Sequence, residues 1–422
     1  MNMHARTAHS AVQPGEEDIP QPDIILDLSR LLSRVLHPTP TGIDRVEMAY
    51  ARELLRRLPG RLRFAAVHPV AGYGRLPTQE VVRFLDETER LWAGRERHDR
   101  LGLRLSALRK LTALRPRPAP KVEAAGASVY LQASPNNLHK PELIARILKR
   151  EQARFICLVH DLIPIQFPEY ARPGGADLHR KRMDTLGLHA SALVTNSGAT
   201  RDILSAYLER GGKTPPIHVA HLGTVVPERR PDAAPIDIPY FICVGTIEPR
   251  KNHLLLLNLW RRMAERATPG QIIPKLVLIG RRGWENENIV DMLDRCPELE
   301  GHVIEASRMP DGDVEDLIGG ARALLLPSFA EGYGMPVAEA LAMGVPVLCS
   351  DLPAHREVGG GTPDYLDPLD GPGWLAAIED YAAPDSVRRK LQQQRMRRWR
   401  APNWEDHITT VLDACAEAVR HA

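Results

Sequence analysis

Between Ala323 and Asp351 the chain can do little other than make a strand, a tight loop and a helix. Ala323–Leu326 is an apolar run short enough for a buried parallel strand, and Pro336 suits the first turn of a helix. The loop between them holds Gly332 and Gly334, so several backbone N–H groups can crowd together without Cβ clashes and point at one anion. That geometry is built for a phosphate. Similar apolar runs recur at Asp23–Leu28, Arg61–Val70, Ser128–Gln132, Phe155–Val159, Ala192–Thr195, Ile217–Leu222, Tyr240–Gly245, Lys275–Gly280, His302–Ala306 and Val345–Ser350. Helix-length segments separate many of them, which predicts an α/β chain with parallel sheets.

A chain of 422 residues with 43% hydrophobic content is too long for one core and suits two domains plus a tail. Residues 1–22 are polar and predict a disordered lead. Residues 227–239, PERRPDAAPIDIP, hold four prolines and predict a linker between domains at 23–226 and 240–397. A net charge of +2 gives no pull toward nucleic acid. The five cysteines form no C-x-x-C pair, and Cys157, Cys243 and Cys349 lie inside apolar runs, which points to a reducing compartment and no metal site. With no apolar leader and no eighteen-residue apolar stretch, a cytoplasmic protein is expected.

Two carboxylates bracket the glycine loop, Glu331 at its entrance and Glu339 about one turn into the helix. A carboxylate is a poor partner for phosphate but accepts hydrogen bonds from vicinal hydroxyls, so acid on both sides of an anion nest suggests a sugar nucleotide. A loop Glu and a solvated helix Glu would be the plain alternative for that spacing alone. A dinucleotide fingerprint is disfavoured, since Val337 stands where its third glycine would be. E-x7-E enclosing E-G-Y-G-M-P resembles the C-terminal signature of family-four retaining glycosyltransferases of the GT-B architecture. A second element, Gly245-Thr246-Ile247-Glu248-Pro249-Arg250-Lys251-Asn252, resembles the donor diphosphate element of bacterial mannosyl- and rhamnosyltransferases in that family. Arg250 and Lys251 there place two cations at a helix start, where the dipole disfavours them unless an anion is present.

The resemblance implies two facing Rossmann-like domains, a C-terminal helix (398–422) packing back on the first, and a catalytic cleft between them. It implies transfer of a hexose, with mannose from GDP-mannose favoured, to a saccharide or polyprenyl-linked oligosaccharide acceptor in surface polysaccharide or O-antigen assembly, with retention and without a metal or cofactor. Other GDP- or TDP-deoxyhexose or UDP-sugar donors, and a non-catalytic sugar-nucleotide-binding protein, remain alternatives. A glycosidase using Glu331 and Glu339 would leave Arg250 and Lys251 unexplained. On the resemblance, Glu331 orients the hexose and Glu339 holds the ribose. Gly245, Thr246, Arg250, Lys251 and the amides of Gly332, Tyr333, Gly334 and Met335 bind the donor. Gly42, in the first strand-to-helix turn, approaches the donor phosphates. His160 and Asp161, in H-D-x-x-P after the Phe155–Val159 strand, reach the transferred sugar and the acceptor.

Plainer readings stand beside several of these. Gly42 also suits an ordinary turn, Arg45 a surface side chain, Ser197 a helix cap, Asp161 a turn cap and His160 a satisfied core residue. Asp311-Gly312-Asp313 predicts a turn and N-cap rather than a D-x-D metal site. Glu305-Ala306-Ser307-Arg308 departs from the family's usual sequence and leaves the base undefined. Residues 90–121 are rich in Leu and Arg, which suits either a solvated helix or peripheral contact with the inner membrane. Their leucines and arginines do not separate cleanly at helical spacing, which favours the former.

Overall fold

The computed structural model describes residues 22–94, 100–117, 128–212, 214–225, 236–307 and 309–420. The expected lead at 1–22 and linker at 227–239 therefore lie largely outside the described residues, as does Arg308.

Two sheets organise the chain. The first contains β1 (Asp23–Asp27), β2 (Leu62–His68), β3 (Gly72–Leu76), β4 (Ser128–Gln132), β5 (Ala153–Val159), β6 (Ala192–Thr195) and β7 (Ile217–Val219), in the order β3-β2-β1-β4-β5-β6-β7. The second contains β8 (Tyr240–Val244), β9 (Lys275–Ile279), β10 (Val303–Ala306), β11 (Leu324–Leu326), β12 (Val347–Ser350) and β13 (Asp364–Leu366), in the order β10-β9-β8-β11-β12-β13. Every pairing is parallel except β2 with β3. Strand order reverses direction beside β1 and beside β8, so each sheet has a crevice at its carboxyl edge, where ligands of open α/β sheets bind.

The central strands are buried on both faces, which is why they read as continuous apolar runs. The helix Gly42–Arg57 starts on a capping box, Thr41 Oγ1 accepting from Asp44 N and the Asp44 carboxylate accepting from Thr41 N. The last helix, Trp404–Arg420, crosses back to the first sheet. It buries Ile408, Val411, Ala414 and Cys415, and His407 Nε2 meets the Tyr50 hydroxyl at 2.7 Å. At the crossing, a Cβ on Gly223 would stand 2.3 Å from the Trp404 nitrogen, so only glycine fits.

Within the basic segment 90–121, of which 95–99 and 118–121 lie outside the described residues, the helix Arg100–Ala113 buries Ala107 and Lys110 and leaves Leu101, Leu105 and Leu108 about 60% exposed. At spacings of four and three residues these leucines share a face. Among the described residues no helix is long and apolar enough to cross a membrane, no group of His, Cys, Asp and Glu is arranged to hold a metal, and all five cysteines are free.

Candidate active site

The chain turns sharply after β8. Pro249–Lys251 form one 3-10 turn and Asn252 takes a left-handed φ of 56° before the helix His253–Arg266 begins. Both cations of that turn meet Glu331, the residue that opens the glycine loop. Arg250 Nη1 donates to Glu331 Oε2 (2.8 Å) and to the Ala330 carbonyl (2.9 Å), and Lys251 Nζ donates to Glu331 Oε1 (2.5 Å). Ser328 Oγ adds a third bond to the Glu331 side chain, its second at Oε1 (2.7 Å), while Glu248 holds Arg250 Nε at 2.6 Å. The cations are thus matched by two carboxylates of the protein, a pairing that adjacent charges in a sequence do not disclose.

Burial alone would push the Glu331 carboxyl up, but Arg250 and Lys251 outweigh it and hold the group far below the usual carboxylate range. Burial raises Glu248 despite the same two cations, and drives His253 down to about 4. His355, behind the loop, is also lowered by burial, and its Nδ1 lies 2.8 Å from the Ser350 carbonyl. Gly334 needs its glycine twice over. Its φ is +101°, and a Cβ there would stand 3.0 Å from the His355 ring. The N–H groups of Gly332, Tyr333, Gly334 and Met335 hydrogen-bond to no other described residue. Tyr333 contributes no free hydroxyl, since its OH donates to the Leu222 carbonyl across the cleft (3.0 Å).

A cavity of about 640 Å³ opens between the two sheets, lined among others by Gly42, Gly245, Thr246, Met335 and Glu339. Arg250, Lys251, Glu331, His160 and Asp161 are not among its lining residues. The Glu339 carboxylate has no hydrogen-bond partner among the described residues, and burial raises its pKa against the opposing charge of Arg45. Arg45, which the sequence left as a candidate surface residue, spans the cavity in a two-pronged bond to Asp311 (2.8 and 2.7 Å). Asp311 therefore does not cap its helix; Pro310 precedes the first turn, without a side-chain cap, and the carboxylate is committed to Arg45. Arg281 also lines the cavity and is an exposed cation that the motif left without a role.

His160 and Asp161 sit at the carboxyl end of β5, against the loop. His160 Nε2 lies 2.9 Å from the Ala133 carbonyl, burial lowers the ring's pKa, and Asp161 Oδ1 accepts from Ile163 N (3.1 Å). Those contacts are the core and turn-cap roles that chemistry alone allows them. The His160 carbonyl and Asp161 Cβ press on Gly332, where a Cβ would come within 2.2 Å of the former and 2.9 Å of the latter. Ser197 does more than cap its helix. Its Oγ donates to the Gly332 carbonyl (2.7 Å), as does Thr200 Oγ1 (3.1 Å). Glu357 completes the junction by accepting from Gly198 N (2.6 Å) and meeting His221 Nε2 (2.7 Å). Nothing in the sequence around Glu357 signalled that role.

Residues 227–360 match the family of glycosyl transferases group 1. The chain is 28% identical over 278 residues to the serotype-specific mannosyltransferase WbdA of Escherichia coli, a match covering 58% of this chain and 33% of that protein. It is 32% identical over 175 residues to the O-antigen chain mannosyltransferase B of Escherichia coli, covering 42% of this chain and 45% of that protein. The chain thus spans less than half the length of these curated relatives. Among solved structures, an alpha,alpha-trehalose 6-phosphate synthase from Burkholderia multivorans superposes with a TM-score of 0.58 at 13% identity, covering 94% of this chain and 99% of that one. TarM superposes with a TM-score of 0.52 at 11% identity, covering 68% and 54%. Most of the second sheet, with the loops that carry Arg250, Lys251 and Glu331, lies in the stretch that matches the group 1 glycosyl transferases, and the chain has the GT-B fold.

Proposed function

We propose that this protein is a retaining, metal-independent glycosyltransferase that moves a hexose, mannose from GDP-mannose first, to a saccharide or lipid-linked saccharide in surface polysaccharide assembly. The observation that carries the reading is the row of four free N–H groups, Gly332 to Met335, next to the Arg250–Lys251–Glu331 cluster and the unpartnered carboxylate of Glu339. The names of the mannosyltransferase relatives favour mannose.

In such a transfer the anomeric carbon gains positive charge while the departing diphosphate gains negative charge. Fixed donors aimed at the diphosphate bind most strongly what develops last. The loop amides, with Arg250 and Lys251 beside them, take that part. Glu339 accepts from the ribose hydroxyls, its raised pKa reflecting burial that a hydroxyl pair relieves. A carboxylate has about four acceptor positions. Glu331 uses three on Lys251, Ser328 and Arg250, which leaves one, on Oε2, for a hexose hydroxyl. His160 and Asp161 belong to the acceptor side, and residues 23–226 and 240–397 act as the acceptor and donor halves.

Thermal-shift measurement tests the donor. GDP should raise the melting temperature by several degrees and more than UDP, TDP or ADP, because a ligand at a hundred times its Kd adds about 2.7 kcal/mol. A larger shift with another nucleotide would move the donor to that base, and no shift with any would refute the donor reading.

The exposed Leu101, Leu105 and Leu108, interleaved with exposed Arg104 and Arg109, favour peripheral contact with an anionic membrane face. Sedimentation with phosphatidylglycerol vesicles should carry the protein down, and replacing Leu105 and Leu108 by glutamate should release it. Equal recovery of both proteins in the supernatant would end the membrane reading.

A further inference from the structure

Folded proteins hydrogen-bond nearly all of their buried polar atoms, so a concentration of exceptions points to a ligand. Six gather at the carboxyl edge of the first sheet: Gln132 Oε1, Ser134 Oγ, His139 Nδ1, His179 Nδ1, Arg182 Nε and Asn196 Oδ1. Hydrogen bonds tie their neighbourhood together. Gln132 Nε2 donates to the Ser134 carbonyl (2.8 Å), Asn196 Nδ2 to the His160 carbonyl (3.0 Å), and His179 Nε2 meets the Asp161 carbonyl (3.0 Å). Gln132, Ser134, His179 and Asn196 are each more than nine-tenths buried.

Their chemistry is mixed in an informative way. Gln132 Oε1 and Asn196 Oδ1 can only accept. His179 Nδ1 also accepts in the neutral ring, since Nε2 faces a carbonyl. Arg182 can only donate. It stands three residues beyond His179 on the same helix, Gly175–His189, and so on the same face. No hydrogen bond or ion pair engages Arg182 among the described residues. Burial depresses its guanidinium, Arg30 adds to that, and Asp161 opposes it. Arg30 is itself fixed on Asp44 (2.6 Å) and Thr41 (2.9 Å). Arg182 and His139 remain partly exposed, so a solute can reach them.

Acceptors suited to sugar hydroxyls beside a guanidinium with no directly bonded partner among the described residues describe one class of ligand. We propose that this edge is an acceptor subsite for an acidic sugar, whose carboxylate or phosphate is taken by Arg182. The proposal rests on the glycosyl-transfer reading above and adds that the acceptor carries negative charge. It makes Arg182 a specificity-determining residue.

The test titrates wild-type protein, with and without saturating GDP, with glucuronate, mannose 6-phosphate and neutral methyl mannoside by ligand-observed NMR. At least one acidic sugar should bind about ten- to a hundredfold more tightly than the neutral one, the range for hydrogen bonds to a charged group. Comparing glucuronate with mannose 6-phosphate identifies the acid. Arg182→Gln should erase the preference while leaving GDP binding unchanged, and Arg182→Lys should restore part of it. Equal binding of acidic and neutral sugars, or a preference that survives Arg182→Gln, overturns the subsite. Failure of GDP to bind overturns the donor reading instead, and the titration without GDP still decides the subsite.

Discussion

Glu331→Gln should lower turnover about 100- to 1000-fold, the scale of losing one preorganised contact in a transition state, while nucleoside diphosphate binding holds or tightens. Glu331 and Glu248 together offset Arg250 and Lys251. On the proposed function, removing one negative charge leaves an excess cation for the diphosphate, which favours binding, yet deprives the hexose of its partner. Steady-state kinetics with GDP-mannose and calorimetry with GDP separate the two effects. Near-normal turnover would refute the hexose role, and a large loss of GDP affinity would refute the charge balance. The substitution also costs stability, roughly 3–5 kcal/mol for breaking a buried ionic cluster. Because the folded carboxyl lies below its ordinary value of 4.5, its contribution is present above that pH and fades as the pH falls beneath it. Acid unfolding of the variant should therefore be less steep than that of the wild type.

Gly332→Ala should be nearly as damaging to transfer for a different reason. The added Cβ would lie 2.2 Å from the His160 carbonyl, a backbone atom that cannot swing aside. The two halves must then part at the loop, which strains the bonds from Ser197 and Thr200 to the Gly332 carbonyl. Overpacking of this kind costs about 1–3 kcal/mol. A larger radius of gyration by small-angle scattering and a loss of turnover of at least about a hundredfold are expected if positioning across the cleft carries the rate. A variant with wild-type dimensions and activity would show that the halves work without meeting at this point.

The contrast between these residues shows what a sequence discloses. The buried strands announce themselves because parallel strands covered on both faces are uniformly apolar, as in β5, β8 and β11. β3 does not, since GYGRL is an edge strand with two glycines and no apolar run. β13 is only three residues long. At the site, glycine and charge in a strand-to-helix turn make the loop an expected anion site from local chemistry alone. The pairing of Glu331 with cations 80 and 81 positions earlier depends on β8 and β11 lying side by side in the second sheet, and the reach of Ser197, Glu357 and Arg45 across the cleft depends on how the two sheets face each other. No local pattern encodes that.

The return of Trp404–Arg420 to the first sheet bears on how the molecule is born. Ile408, Val411, Ala414 and Cys415 fill hydrophobic space that β4 to β7 leave open, and His407 closes on Tyr50 and the Ala220 carbonyl. Translation delivers the opening sheet early but its cover last, so the nascent chain must carry an unsealed apolar surface through synthesis of the entire second sheet. Chaperone dependence during expression follows from that order of events.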